Sequence, residues 1–247
     1  MCLELEVSNM HYSKVNKIIR EAIIEGEREF IIKGVNGHRY LLAGINEKIK
    51  VDIYGTPGLD LGAFMKKPII NVYGNVQDGA GNTMDDGKIV IHGMAGDVIG
   101  YAMRGGKIYI KEDVGYRVGI HMKEYLDKIP VIIIGGKAGD FLGEYMAGGI
   151  IILLGMFTNY PERPIAGLFL GTGMHGGVIY IRGKVEEFQL GAGLKPYSLD
   201  SKDEKILENH LKDYAKEFNI SLSEIFKEDF MKVIPYTHRP YGKLYAY

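Results

Sequence analysis

The chain carries a single cysteine, Cys2, and no tryptophan among its 247 residues. One thiol excludes a disulfide framework, and it leaves too few thiolates for a structural zinc or an iron–sulfur cluster built by this chain alone. Net charge is equally scarce. Lys and Arg number 30 against 31 Asp and Glu, a formal charge of −1, and no basic run disturbs the balance. That argues against a nucleic-acid partner. No apolar run approaches the roughly 18 residues of a membrane span, the longest lying near Ile150 to Leu154. No signal peptide opens the sequence, so the expected compartment is the cytoplasm. With 46% hydrophobic residues, a chain of this length buries a sizeable core without disulfides or metal.

What the chain has in excess is glycine, 34 residues of it, and a methionine that returns at a fixed interval. Met65, Met84, Met103 and Met122 are 19 residues apart, and the series resumes at Met146 and Met174 after gaps of 24 and 28. Every unit also carries an apolar pair two residues apart: Val51/Ile53, Ile70/Val72, Ile89/Ile91, Ile108/Ile110, Ile132/Ile134, Ile151/Leu153 and Ile179/Ile181. A glycine follows the pair in most units, and another stands three residues before each methionine: Gly62, Gly81, Gly100, Gly119, Gly143 and Gly171. Glycines in fixed phase mark corners where the backbone turns left-handed or passes close to the next turn.

A unit of 19 residues is too short for a strand, a crossover helix and a return. It suits one coil of a solenoid, stacked at roughly 4.8 Å on the next. The expected fold is mainly β, a single-stranded right-handed parallel β-helix of about seven coils, with the six methionines as an interior ladder filling the core. Residues 1–48 are expected to form a small α/β cap, 49–197 the β-helix, and 198–247 C-terminal helices, a strand and a tail. In the cap, Val15, Ile18, Ile19, Ala22 and Ile23 follow helical spacing from about Ser13 to Gly26. Phe30 to Lys33 and Tyr40 to Ala43 flank Asn36-Gly37, a pair that predicts a hairpin. Ser201-x-x-Glu204 and Ser221-x-x-Glu224 predict capping boxes opening two helices, and Phe230 to Pro235 reads as a strand. The aromatic tail from Tyr236 to Tyr247 is expected to be a partner contact or a disordered end.

Several residues imitate chemistry. Cys2 would become an N-terminal thiol nucleophile if Met1 were removed, but no domain surrounds it to hold glutamine and an oxyanion. Gly171 to Gly176 spells G-x-G-x-x-G, yet it runs into the strand-like Val178 to Ile181 instead of a helix. Gly87-Lys88 and Gly106-Lys107 lack the Ser or Thr of a phosphate loop. Asp78, Asp97 and Asp140 share one phase of the coil but supply a single carboxylate per turn, so bonds to corner amides are expected in place of calcium. His92, His121 and His175 occupy different phases. No paired carboxylates, Ser/His/Asp set or Cys/His set emerges, and the expectation is that this chain supplies no catalytic, cofactor-binding or metal residue.

The repeats do expose a surface. Between the two inward positions of each strand stands an outward one, Asp52, Asn71, Val90, Tyr109, Ile133, Ile152 and Tyr180 in turn, and the apolar members must be covered by the C-terminal segment or by a partner. Val90, Ile133 and Ile152, with Phe157 and Tyr160 of the inserted segment Phe157 to Pro164, are the candidate partner surface. On this reading Met103→Asp unfolds the coil, whereas Ile133→Asp spares the fold and releases a partner.

The coils Gly55 to Phe64, Gly96 to Gly106 and Gly139 to Ile150 resemble the G-x-G-x-G repeat domain that closes the large subunit of glutamate synthase. There a similar EYM-x-GGI-VVLG segment occurs, matched by Glu144 to Gly155, and the two helices with the Phe230 to Pro235 strand resemble that domain's ending. The likeness runs from about residue 50 onward. The amidotransferase, central and FMN-binding domains are missing, so the resemblance implies a stand-alone subunit of archaeal type. In that family the enzyme hydrolyses glutamine, passes ammonia through a tunnel and reduces the imine formed with 2-oxoglutarate at FMN, while the repeat domain holds the catalytic domains together. The implied role is a non-catalytic assembly subunit. Its partners would be a glutamine amidotransferase subunit and an FMN-binding subunit, with FMN and an iron–sulfur cluster on them, and self-association is left open. The C subunit of formylmethanofuran dehydrogenase carries the same repeat and is a second reading. A polysaccharide-active β-helix is a third, weakened by the absence of tryptophan and of an acidic cluster.

Overall fold

Every apolar pair of the repeat becomes a short strand with both members turned inward, because a 19-residue unit can bury hydrophobic side chains only by stacking on copies of itself. In the computed structural model, which describes residues 2–235, these strands are β3 (Lys50–Thr56), β4 (Ile69–Tyr73), β5 (Lys88–Ile91), β6 (Lys107–Ile110), β7 (Val131–Ile134), β8 (Ala147–Leu153) and β9 (Gly176–Arg182). The tail from Tyr236 to Tyr247 lies outside the described residues. Successive strands pair in parallel and in phase, Ile89 opposite Ile108 and Ile108 opposite Ile132. A second side of each coil contributes isolated parallel bridges that run from Val76 through Ala95, Val114 and Ala138 to Ala166. Met65, Met84, Met103, Met122 and Met146 are fully buried and Met174 is 6% exposed, all within one interior cluster.

The corners explain the glycine. In each coil three alternate residues take left-handed φ: Arg117, Gly119 and His121 at 56°, 72° and 56°, then Phe141, Gly143 and Tyr145 at 62°, 70° and 52°. Alternation turns successive N–H groups in opposite directions. Arg117 and His121 donate forward to the carbonyls of Asp140 and Glu144, at 2.9 and 3.0 Å, while Gly119 donates backward to Ile99 at 2.8 Å. The corner is thus hydrogen-bonded to both neighbours without being a strand. At the middle place a Cβ would enter the interior; on Gly119 it would lie 2.6 Å from Ile151 Cδ1. The outer two places project outward, so Phe, Tyr, His and Arg occupy them at about 1–2 kcal/mol of backbone strain each.

The N-terminal cap departs from expectation. Asn36-Gly37 makes no hairpin. The first strand, β1 (Cys2–Glu6), and the strand before Gly37, β2 (Glu29–Asn36), pair in parallel with each other, and β2 pairs in parallel with β3, extending the sheet. Tyr40, Leu42 and Gly44, at φ 57°, 60° and 67°, form another corner of the same alternating type. A fully buried Leu42 stands at the middle place, where the other coils have glycine, and hid the extra coil from the repeat. The helix α1 (Tyr12–Ile24) buries Val15, Ile19, Ala22 and Ile23 over this end. His38 fastens the cap: its Nδ1 accepts the Asn36 N–H at 3.1 Å, and its Nε2 sits 3.1 and 3.0 Å from the carbonyls of Val7 and Met10.

At the other end the chain adds β10 (Leu194–Ser198), the helices α2 (Ser201–Phe218) and α3 (Leu222–Ile225), and β11 (Phe230–Pro235). The last of the described strands inserts antiparallel between β9 and β10, making a sheet of eleven strands among the described residues. Neither capping box forms as written in the sequence. Asp200 is the N-cap of α2, accepting from Lys202 and Asp203 N–H at 2.8 and 3.1 Å, while Asp203 accepts the Asp200 N–H at 2.9 Å. Ser221 caps α3 without a side-chain bond to the backbone, its hydroxyl meeting Ser223 Oγ at 2.7 Å.

Candidate functional site

Of the residues marked as a partner surface, Val90, Ile133 and Ile152 are fully buried by this chain itself. With Tyr109, Leu154 and Tyr180 they form a second core beneath Leu207, Leu211 and Tyr214 of α2 and Ile225 of α3. They offer no free face, and an Asp at Ile133 would enter a closed core. The helix lies across the strands. Tyr180 on β9 donates to Asp203 at 2.7 Å, and Lys88 on β5 pairs with Glu217. Fourteen residues at ~1.5 Å rise span ~21 Å, close to four strand steps of ~4.8 Å. Lys107 pairs with Asp213 at 2.6 Å and Lys232 with Asp203 at 2.5 Å. The lysines that imitated phosphate loops are therefore helix fasteners.

These fastenings titrate. Burial holds the His210 imidazole below its ordinary value, with Lys107 adding and Asp213 opposing, and burial acts likewise on His92, with Lys111 adding and Glu217 and Asp52 opposing. At Asp203 burial pushes upward, but Lys232, the Asp200 N–H and the Tyr180 hydroxyl outweigh it and hold the carboxyl low. The Lys107 hydrogen bond lowers Asp213 against burial. A depressed imidazole resists protonation, so stability falls as pH drops below the ordinary histidine value of 6.5. The depressed carboxylates stabilise above their ordinary 3.8 and lose that contribution as pH falls through their lower folded values. Docking of α2 should weaken on acidification in two stages, read by proteolysis of residues 199–201 against pH. Strengthening between about pH 7 and 5 would contradict the assignment. The buried Tyr109 hydroxyl has no hydrogen-bond partner among the described residues. Tyr109→Phe should leave stability unchanged or raise it by up to ~1 kcal/mol, since no partner is orphaned; a fall in melting temperature would show that the hydroxyl is satisfied after all.

The inserted segment remains at the surface. Tyr160 is 39% exposed and lies 4.2 Å under the Arg163 guanidinium, and Phe157 is half-buried, its N–H donating to Gly135 at 3.0 Å. Two side chains staple it. The Lys137 ammonium donates to the carbonyls of Tyr160 and Pro161 at 2.9 Å each and of Arg163, and the buried Asp113 carboxylate accepts from Lys137 N–H, Thr158 Oγ1 and Asn159 N–H at 2.7, 3.0 and 3.3 Å. Beside the staple a cleft of about 390 Å³ opens between Met94, Val114, Tyr116 and Arg163. With every donor of Lys137 and both oxygens of Asp113 engaged, neither is placed to act as nucleophile or general base.

The other imitations resolve structurally. Asp78, Asp97 and Asp140 accept the N–H of Asp97, Tyr116 and Leu168 in the next coil, each at 2.8 Å. Gly171 and Gly173 belong to a left-handed corner leading into β9. Cys2 is exposed on β1. Among the described residues no three His, Cys, Asp or Glu side chains are grouped to hold a metal, and no helix is long and apolar enough to cross a membrane. What the sequence reading missed is the outward corner rows: Arg117 lies 4.7 Å over Phe141, which stacks on Phe169 at 4.9 Å, and His121 stacks on Tyr145 at 5.3 Å. The constant phase of these residues relative to the methionines was the available signal.

A protein of Methanocaldococcus jannaschii, described as uncharacterized, is 44% identical over 249 residues, covering 98% of this chain and 95% of its own length. The GXGXG motif family matches residues 24–237. That span takes in the corner at Tyr40 to Gly44, all the later coils and the helical ending, and the alternating left-handed corners supply its physical basis: this chain belongs to the GXGXG motif family.

Proposed function

We propose that this chain is the non-catalytic assembly subunit of a glutamate synthase complex, gripping a glutamine amidotransferase subunit and an FMN-binding subunit that carry the chemistry. The observation that carries this reading is the family match over residues 24–237, which includes the coils and the helical ending whose motifs resemble the glutamate synthase domain. The architecture supports it: the described polar side chains of the coil body serve mainly to hold coil to coil and helix to coil, as a rigid support requires. On this reading FMN and the iron–sulfur cluster reside on the partners, and Phe157 and Tyr160 of the stapled loop contribute to partner contact.

The test is purification of the tagged chain from its native host. Amidotransferase and FMN-binding polypeptides should co-purify, and glutamate formation from glutamine, 2-oxoglutarate and a reductant should fail when this chain is omitted from reconstitution. Molybdenum- or tungsten-bearing partners would instead transfer the scaffold to formylmethanofuran dehydrogenase. Turnover of glutamine or of a polysaccharide by the pure chain would end the scaffold reading.

A further inference from the structure

The first break in the 19-residue spacing, between Met122 and Met146, is filled by a hairpin that the coil itself does not need. Tyr125 and Lys128 bond in both directions, at 3.2 and 3.1 Å, around the two-residue turn Leu126-Asp127. Leu126 sits at φ +57° and Asp127 does not share the sign, the pattern of a II′ turn whose first central place normally goes to glycine. A leucine there is strained, and its side chain is 84% exposed, beside Ile129 at 51% and Tyr125 at 41%. Contacts within the described residues offset neither the strain nor the exposure.

The base of the hairpin is nevertheless fixed. A glycine in the coil that follows makes room for it: a Cβ on Gly148 would lie 2.7 Å from the Glu124 nitrogen. Glu124 accepts the Gly149 N–H at 3.2 Å, Lys128 pairs with Asp86 at 3.4 Å, and the Arg104 guanidinium lies 5.7 Å over the Tyr125 ring. An apolar tip on a pinned base loses little conformational freedom on binding, which is the property of an interface anchor.

We propose that this hairpin docks another protein, Leu126 entering an apolar pocket whose rim is basic. The rim follows from charge. Asp127 at the tip and Glu124 at the base are exposed and join no ion pair among the described residues, against one cation equally outside the ion pairs, the half-buried Lys123, since Lys128 is engaged by Asp86. The hairpin therefore presents a net negative charge. Tip-to-tip contact of two copies would oppose these carboxylates, and an anionic lipid surface would repel them. The inference deepens the scaffold reading and rests on the chain having a protein partner, though not on which complex it serves.

The test places a photo-crosslinking residue at Leu126 in the complex isolated from the native host, with partner affinity measured for Leu126→Asp, Leu126→Gly and Asp127→Lys. The crosslink should reach a different polypeptide, at an apolar pocket with Lys or Arg at its mouth. Leu126→Asp should weaken that association at least ~30-fold. Asp127→Lys should weaken it roughly tenfold, less at high salt. Leu126→Gly should lower affinity while raising the melting temperature, separating lost contact from misfolding. A crosslink to a second copy, a crosslink only within this chain, or unchanged affinity of Leu126→Asp would overturn the anchor. Should the crosslinked polypeptide be neither amidotransferase nor FMN-binding, the glutamate synthase assignment fails and the anchor stands. Should both subunits co-purify with Leu126 touching neither, the anchor fails and the assignment stands.

Discussion

Met103→Asp should strongly destabilise the whole coil, while Ile133→Asp should leave the coil standing and free the helix that covers it. Both side chains are fully buried, but they face different cores. Met103 belongs to the interior cluster shared by the stacked coils, and Ile133 to the layer between the sheet and α2. An unpaired carboxylate inside the coil has no hydrogen-bonding partner and no route to water, at a cost of about 4 kcal/mol or more. For a chain of this size that lowers the melting temperature by more than ~10 °C. At Ile133 the charge can reach solvent if α2 lifts away, so the expected result is early proteolysis at residues 199–201 and loss of helical circular dichroism, with the sheet signal kept. A Met103→Asp protein melting within a few degrees of the native one would remove the methionine ladder from the interior. A fully protease-resistant Ile133→Asp protein would show that α2 does not close that face.

Gly119→Ala should cost about 2–5 kcal/mol, while His121→Gly, two residues away in the same corner, should change stability by no more than ~1 kcal/mol. Both residues hold left-handed φ, 72° and 56°. Strain alone, about 1–2 kcal/mol, would act at either place. The difference is the direction of the side chain. A Cβ on Gly119 would lie 2.6 Å from Ile151 Cδ1, adding an overpacking cost of about 1–3 kcal/mol. His121 projects outward, and its loss removes ring contacts with Tyr145 at 5.3 Å and Tyr101 at 5.8 Å. Thermal melting of the two variants decides the matter, and equal destabilisation would refute the division into inward and outward corner places.

The coil was legible because stacking forces each residue into the same environment 19 positions later, so the inward methionines and the apolar pairs must recur. The exceptions mark where that environment changes. The end coil carries Leu42 in place of the corner glycine, and Asn36-Gly37 imitated a hairpin turn because local turn chemistry does not report which strand comes to lie alongside. The capping box moved to Asp200 and Asp203 because Tyr180 and Lys232, distant in sequence, also bind Asp203.

By itself the sequence determined the parallel coil, its interior ladder, the glycine corners and the C-terminal helices, since each follows from periodicity and local backbone preference. Only the tertiary structure decided that α2 rather than a partner closes the face at Val90, Ile133 and Ile152, and that Leu126 stands clear of the body. An amphipathic face announces that it must be covered; what covers it depends on where the chain's ends are carried in space, and a one-dimensional repeat does not encode that.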